Sequence, residues 1–353
     1  MSKNINVGLL GYGMAGRIFH APFISTVPGL NLKKIKANRA ESVELARQRY
    51  PHVEVVAQEQ DIFGDASIDF VVIATANPTH FSLAKAALQA GKHVLVDKPF
   101  TITSAEAEEL IALAKEKDKV LTVYQNRRWD SDFKTVQKLV QSQLLGNLVE
   151  YEAHFDRFRN EIKPNTWKEE DLPGSGILYD LGAHLIDQAL YLFGEPKEVY
   201  ADIRVQRTGS QIPDYFELVL QYEGLKAILK ASMLVRELGP HFVLHGTEGS
   251  FVKYGMDVQE EHLKAGHFPA DTANWGIEPE ERWGTLNTSI KGLNVRGKVE
   301  SEAGDYRGLY QNVYKAILGQ EELVVKPEQA RNTIRVIELA MQSSQEKRII
   351  QYN

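Results

Sequence analysis

Through about residue 124 the chain alternates short apolar runs with stretches whose apolar residues recur every three or four positions, the pattern of β-α units on a buried parallel sheet. The runs are Ile5 to Leu10, Leu32 to Ala37, Val53 to Val56, Phe70 to Ala74, His93 to Val96 and Val120 to Val123. Six strands is the number that a dinucleotide-binding sheet uses. Asn77-Pro78 reads as a cap residue followed by proline at the first helical position, opening a helix that runs to Ala90 with Gly91 just past its end. Thr103-Ser104-Ala105-Glu106 reads as a capping box for a helix reaching Lys117. Pro22 interrupts the helix after the first run, which predicts a short helical piece and then a second one.

After Asn126-Arg127-Arg128-Trp129 the pattern changes. A helix over about Ser131 to Ser142 leads into strands with period-two alternation, clearest where Val199, Ala201, Ile203 and Val205 interleave with Tyr200, Asp202, Arg204 and Gln206. Similar alternation recurs around Tyr215 to Tyr222, Leu225 to Val235 and Phe242 to Tyr254. One buried and one polar or partner face implies a mostly antiparallel sheet. Residues 265 to 305 are rich in Gly, Pro and Asn and read as a long loop. Helical patterns over Asp305 to Leu318 and Pro327 to Gln345 close the chain. The expectation is an α/β protein: a doubly wound parallel Rossmann sheet over residues 1–125, then a C-terminal α/β domain over 126–353 with a large open, mostly antiparallel sheet. The C-terminal helix is free to pack back on the first domain.

Candidate chemistry begins at Gly11-Tyr12-Gly13-Met14-Ala15-Gly16, directly after the first run. In a dinucleotide site Gly11 makes the tight turn, Gly13 lets a pyrophosphate approach the backbone through Met14 and Ala15, and Gly16 lets helix and strand pack closely. Alone the motif is weak, because glycine-rich hexapeptides also occur in surface loops. The second strand ends Lys36-Ala37-Asn38-Arg39 with no carboxylate to accept from a ribose 2'-hydroxyl, and Lys33 and Lys34 precede it. The missing acid, with the Arg39 guanidinium suited to a phosphate, favours NADP over NAD. Ala76, Asn77 and His80, after the fourth strand, are further candidates for the cofactor.

Asp97-Lys98-Pro99-Phe100 follows the fifth strand, at the carboxyl edge where ligands bind in such sheets. A cis bond at Pro99 could turn Lys98 toward the cleft, and a lysine beside a cationic nicotinamide is a plausible proton donor or acceptor. In isolation such a lysine is usually a solvated turn residue. In Leu178 to Gln188, helical spacing puts Asp180, His184, Asp187 and Gln188 on one face, opposite Leu181, Leu185 and Leu192. His184 could take a hydroxyl proton while Asp180 orients its ring. The plainer reading is a capping aspartate and a half-buried structural histidine. No metal site is expected: His241 and His245 lie about 13 Å apart if extended, and Asp180 with His184 lacks a third ligand.

Composition narrows the classes. The 353 residues suffice for about two domains, and 43% hydrophobic with 25% charged residues is ordinary for a soluble globular protein. With 41 Lys+Arg against 47 Asp+Glu, the net charge of -6 offers no general attraction to nucleic acid or an anionic membrane. The absence of cysteine removes disulfides, thiolate nucleophiles and Cys-type zinc sites. No signal-peptide pattern opens the chain, and Ile68 to Ala76 falls short of the roughly 20 residues a spanning helix needs, so a cytoplasmic location is expected.

Together, GLLGYGMAGRIFHAPF (8–23), VIATANPTHFSLAKAALQAGKHVLVDKPF (72–100) and GSGILYDLGAHLIDQALYLFG (174–194), in this order and spacing, resemble the Gfo/Idh/MocA oxidoreductases from end to end. RIFHAPF, NRRWDSDF (126–133) and LYDLGAHLIDQAL look most like the branch of NADP-dependent scyllo-inositol dehydrogenase-like enzymes. The resemblance implies hydride transfer between a nicotinamide and a secondary alcohol or ketone of a cyclic polyol or sugar. His184 would transfer the hydroxyl proton, Lys98 would stabilise the developing alkoxide, and Asp180 would complete the set. It also implies a homo-oligomer, a dimer or tetramer, formed through the open sheet. Asn126, Arg157 and Arg159 are weaker candidates for substrate hydroxyls. Asp97 stands where the family usually has glutamate, and Asn165-Thr166-Trp167-Lys168 where related branches often carry an arginine-bearing stretch. The alternatives are NAD-assisted glycoside cleavage and a non-catalytic nucleotide-binding regulator; the retained Lys98, Asp180 and His184 argue against the latter.

Overall fold

The computed structural model describes residues 4–162 and 169–353, so Asn165-Thr166-Trp167-Lys168 lies outside the described residues. The chain divides into two compact units. One comprises Met1–Asn126, Gln259–Trp275 and Asp305–Arg331, the other Arg127–Val258, Gly276–Gly304 and Asn332–Asn353.

In the first unit β1 (Ile5–Leu10), β2 (Leu30–Lys36), β3 (Glu54–Val56), β4 (Phe70–Ile73), β5 (His93–Val96) and β6 (Leu121–Val123) form an all-parallel sheet in the order β3-β2-β1-β4-β5-β6. The order reverses beside β1, which creates the crevice of a doubly wound fold. All four residues of β4 are buried, as a strand covered on both faces requires. The expected capping box is present: Glu106 N donates to Thr103 Oγ1 at 3.2 Å and Thr103 N donates to Glu106 Oε2 at 3.2 Å. The helix before Gly91 starts differently from the reading. Asn77–Thr79 is a 3-10 turn, and the α-helix proper runs His80–Gln89, so Asn77 does not act as its cap. After the glycine turn the separate second piece expected from Pro22 is not seen: residues 14–24 are helical without interruption, a π-helical turn, Gly16–His20, passing directly into an α-helical turn, Ala21–Ile24, that contains Pro22. The helix Arg307–Ile317 belongs to this unit and buries Tyr306 and Tyr310, the former edge-on to Phe23 at 5.7 Å.

In the second unit β7 (Leu148–His154), β8 (Glu198–Arg204), β9 (Tyr215–Gln221), β10 (Lys226–Ser232), β11 (Phe242–Gly246), β12 (Gly249–Lys253), β13 (Gly284–Ile290), β14 (Leu293–Val299) and β15 (Ile350–Gln351) form one sheet. Its order is β14-β13-β12-β11-β7-β10-β9-β8-β15, antiparallel throughout except for β7 against β10. Burial alternates along β9 and β10, one face in the core and the other half-open. The expected long loop over 265–305 is corrected: β13 and β14 make a hairpin there, turning at Lys291 (φ 52°) and Gly292 (φ 81°). β14 is exposed along nearly its whole length, so neither face alternates and the sequence carried no strand period.

Beneath this sheet lies a buried ion pair, Lys253 Nζ to Glu278 Oε2 at 2.9 Å, with both side chains 0% exposed. Ser131 Oγ and Ser301 Oγ each donate to the Glu278 carboxylate at 2.7 Å. Removing one member leaves a charge that the low-dielectric interior cannot screen. Lys253→Met should therefore cost about 3–5 kcal/mol in urea unfolding, and Lys253→Met with Glu278→Gln should recover most of it. A single-variant loss under about 1 kcal/mol would show that the pair is not sealed from water.

Candidate functional site

The glycine turn has the shape a dinucleotide needs. Gly11 adopts φ +97°, and a Cβ there would meet the Ala74 carbonyl oxygen at 2.5 Å. A Cβ on Gly16 would come within 2.0 Å of the Gly11 carbonyl oxygen, so only glycine permits this close helix-strand approach. At Gly13 a Cβ would meet nothing within 4 Å, leaving the open space into which a pyrophosphate fits. Met14 beside it is 54% exposed. Gln125, just past β6, is 2% exposed and its Oε1 has no protein partner. An open cradle over Gly13 and an orphaned acceptor at the sheet's carboxyl edge both suit a bound dinucleotide.

At the end of β2, Asn38 and Arg39 are exposed, and no carboxylate replaces the missing acid within the strand end. With its nitrogen turned inward, the Asn38 amide donates to the Ala57 carbonyl at 2.8 Å. Arg39 is the extended residue that opens the helix Ala40–Arg49 without a side-chain cap bond. The preceding lysines are engaged elsewhere. Lys33 Nζ donates to Ser67 Oγ at 2.5 Å, Lys34 pairs with Asp65 at 3.0 Å, and Lys36 pairs with Glu59 at 2.9 Å.

Around Lys98 the structure supplies supports that the sequence did not display. The Lys98-Pro99 bond is cis, as expected. Asp97 Oδ1 accepts from Lys98 N at 2.8 Å, and Asp97 Oδ2 lies 3.5 Å from His20 Nε2. Burial pushes the Asp97 carboxyl up, but His20, Lys98 and His80 together outweigh it and hold Asp97 below its ordinary value. His20 is fully buried, 2.7 Å from Tyr310 Oη through Nδ1, its ring 4.3 Å from that of Tyr124. His80, 1% exposed, places Nδ1 2.8 Å from the Pro99 carbonyl oxygen and Nε2 3.2 Å from that of Thr75. Burial lowers its pKa, which favours the neutral ring. Both ring nitrogens of His80 thus face the protein's own backbone. Ala76 and Asn77 are half-buried in the turn just before it.

In the second unit a π-helical turn, Leu178–Gly182, carries Asp180 and runs into the helix Ala183–Phe193 with His184 at its second position. Asp180 is half-buried and His184 is 5% exposed. The ring of Phe155 stands edge-on to His184 at 6.2 Å. Phe155 in turn stacks flat on His241 at 5.0 Å and lies 5.0 Å from the Arg127 guanidinium. Asp187 and Gln188, read as lining the polar face, serve internal contacts instead. Arg128 grips Asp187 with two bonds of 2.8 and 2.7 Å, and Gln188 Nε2 donates to the Arg127 carbonyl at 3.3 Å. Arg157 and Arg159 flank Phe158 on an extended segment after β7, their amides donating to Ser232 and Met233 carbonyls at 3.0 and 2.7 Å. Asn126 is 5% exposed at the end of the first unit. The candidates are thus divided, with Lys98 and Asn126 in the first unit and Asp180, His184, Arg157 and Arg159 in the second.

A parallel six-stranded sheet with a glycine cradle over its crevice is the architecture of a dinucleotide-binding Rossmann domain. The chain belongs to the Gfo/Idh/MocA family: residues 5–125 match its NAD-binding Rossmann fold and residues 137–352 its C-terminal alpha/beta domain. It is 43% identical over 349 residues to the uncharacterised oxidoreductase YdgJ of Escherichia coli K12, covering 98% of each chain. It is 40% identical to the scyllo-inositol 2-dehydrogenase (NADP(+)) IolW of Bacillus subtilis 168, covering 98% of this chain and 95% of that one. Among solved structures, the oxidoreductase yvaA of Bacillus subtilis superposes with a TM-score of 0.96 at 38% identity, covering 100% of this chain and 99% of that one.

Behind Phe155, burial drives the His241 imidazole down to about 3, so it is neutral at physiological pH. Its Nδ1 lies 2.5 Å from the His154 carbonyl oxygen and its Nε2 3.5 Å from Asp132 Oδ2. A depressed histidine contributes stability above its unfolded pKa of about 6.5 that is lost as pH falls toward the folded value. Asp132, which burial raises, runs the other way and gains relative stability as it protonates. Replacing His241 by Gln should remove the first slope and leave the second. The stability difference between variant and wild type should then shift in the variant's favour by about 1.4 kcal/mol per pH unit from pH 6.5 to 4. Parallel stability curves over that range would rule out a buried neutral His241.

Proposed function

We propose that this protein is an NADP-dependent dehydrogenase of a secondary alcohol on a cyclic polyol or sugar of the scyllo-inositol type. The observation that carries the reading is end-to-end similarity to a relative named scyllo-inositol 2-dehydrogenase (NADP(+)), together with a strand β2 that is followed by Asn38-Arg39 and no acid. The exposed Arg39 suits a 2'-phosphate, which an aspartate there would repel. When bound, the nicotinamide supplies the hydride acceptor. The residues of this chain do the rest: Lys98 stabilises negative charge developing on the substrate oxygen, His184 takes or returns the hydroxyl proton, and Asp180 orients the imidazole. Asn126, Arg157 and Arg159 are assigned to substrate hydroxyls.

The protein is also proposed to work as a homo-oligomer through the half-open face of the nine-stranded sheet. Val252 and Val243 on one side and Ile228, Val219 and Tyr200 on the other share one register row of that face, with Glu152 of β7 between them, a largely apolar strip that a second copy would cover.

Inositols, sugars and sugar acids assayed at 340 nm with NADP and NAD separately test the reading directly, and a clear NAD preference would overturn the cofactor assignment. Arg39→Ala should weaken NADPH binding about tenfold or more while leaving NADH binding unchanged, as loss of a charge-assisted phosphate contact predicts. Lys98→Met should lower turnover at least about a hundredfold while NADPH affinity, read by fluorescence titration, stays near wild type. Wild-type turnover in that variant would remove Lys98 from the chemistry.

A further inference from the structure

The Arg128-Asp187 pair is buried at both ends, Arg128 being 4% and Asp187 2% exposed. Arg128 Nε and Nη2 take both carboxylate oxygens, at 2.8 and 2.7 Å, and the guanidinium lies 4.5 Å from the ring centre of Tyr191. Asp187 and Tyr191 stand on successive turns of the helix Ala183–Phe193, and Asp187 is the i+3 neighbour of His184. Arg128 therefore grips the same helix twice, and the Gln188 bond to the Arg127 carbonyl ties the adjoining residue of its turn to it.

A packing role does not explain this arrangement. Apolar side chains of the same volume would fill the site without the desolvation that two buried charges incur. The pair does have an electrostatic consequence. A bare carboxylate one turn from an imidazole favours the protonated ring, whereas a carboxylate whose two oxygens are both bonded to a guanidinium presents a nearly neutral neighbour.

We propose that Arg128 is a positioning residue for His184: through Asp187 it fixes the helical turn carrying the imidazole and cancels the adjacent charge, so that His184 can exchange its proton near neutral pH. This rests on His184 being the proton-transfer group. Other charged groups share its surroundings. Asp180 precedes it on the π-helical turn, Arg127 pairs with Asp130 at 3.2 Å, and Asp132 on the helix Ser131–Ser142 and His241 lie behind Phe155. On β10, Lys226 and Lys230 alternate with the buried Ala227, Leu229 and Ala231, and pair with Glu150 and Glu217. Arg128→Gln and Asp187→Asn leave all of these in place.

The test is the His184 ring titration in the full chain, followed by two-dimensional NMR and assigned by comparison with His184→Gln. Arg128→Gln should raise the His184 midpoint by about one pH unit, Asp187→Asn should lower it, and the double variant should return it to within a few tenths of wild type. The acid limb of kcat/KM should move in the same directions. If one single variant fails to fold, the other and the double variant still decide, because charge cancellation requires a signed shift followed by its reversal. Midpoints that stay put, or that move the same way in both single variants, would reduce Arg128 to packing and overturn the proposal. If the wild type turns over no polyol or sugar, the proposed function fails while the titration still decides the role of Arg128.

Discussion

The carboxyl edge of the six-stranded sheet depends on one buried contact, His20 with Asp97. A carboxylate removed from water is unfavourable unless partners hold its charge, and Asp97 has two, the His20 ring and the amide of Lys98. That second bond fixes the backbone from which Lys98 extends. His20 is held in turn by the Tyr310 hydroxyl and the Tyr124 ring, so four residues scattered from position 20 to 310 act as one support. His80 braces the other side through the Pro99 carbonyl. The lysine that the sequence offers as an ordinary turn residue is therefore mounted on a rigid base, which is what its proposed role would require.

What could be read from the sequence follows from this. Features demanded by local backbone physics were legible: the glycine turn, the buried strands, the Thr103 capping box and the turn at Pro99. Each needs a particular residue at a particular place whatever the rest of the chain does. The supports were not legible. RIFHAPF contains His20, but its hydrogen-bond partner is 290 residues away and no spacing rule connects them. Arg128 and Asp187 are 59 residues apart, Asp187 was legible only as a member of a polar helix face, and only tertiary packing joins the two. The β13-β14 hairpin was missed for a different reason. Strand period reports one buried face, and β14 has none.

Two of the buried ion pairs in the second unit have different surroundings. Lys253-Glu278 sits among serine hydroxyls beneath the sheet, where every charge is met by hydrogen bonds. Arg128-Asp187 sits against an aromatic ring on the helix that carries His184. The first arrangement joins segments distant in sequence, since Ser131, Lys253, Glu278 and Ser301 converge on it. The second joins a single turn to a single helix, so whatever it contributes is concentrated on that helix.

The proposed nucleotide preference rests on a different physical footing from the supports of Lys98 and His184. Arg39 is exposed, and the helix it opens gains no side-chain cap bond from it. Changing that residue therefore removes a surface charge without creating a cavity or an unpaired buried group, and the fold has no stake in the outcome. A contact between an exposed guanidinium and a phosphate is also screened by salt, over roughly 8 Å at physiological ionic strength. The discrimination between NADP and NAD that such a contact provides must narrow as salt rises. The proton transfer proposed for His184, seated among buried partners, has no reason to follow it.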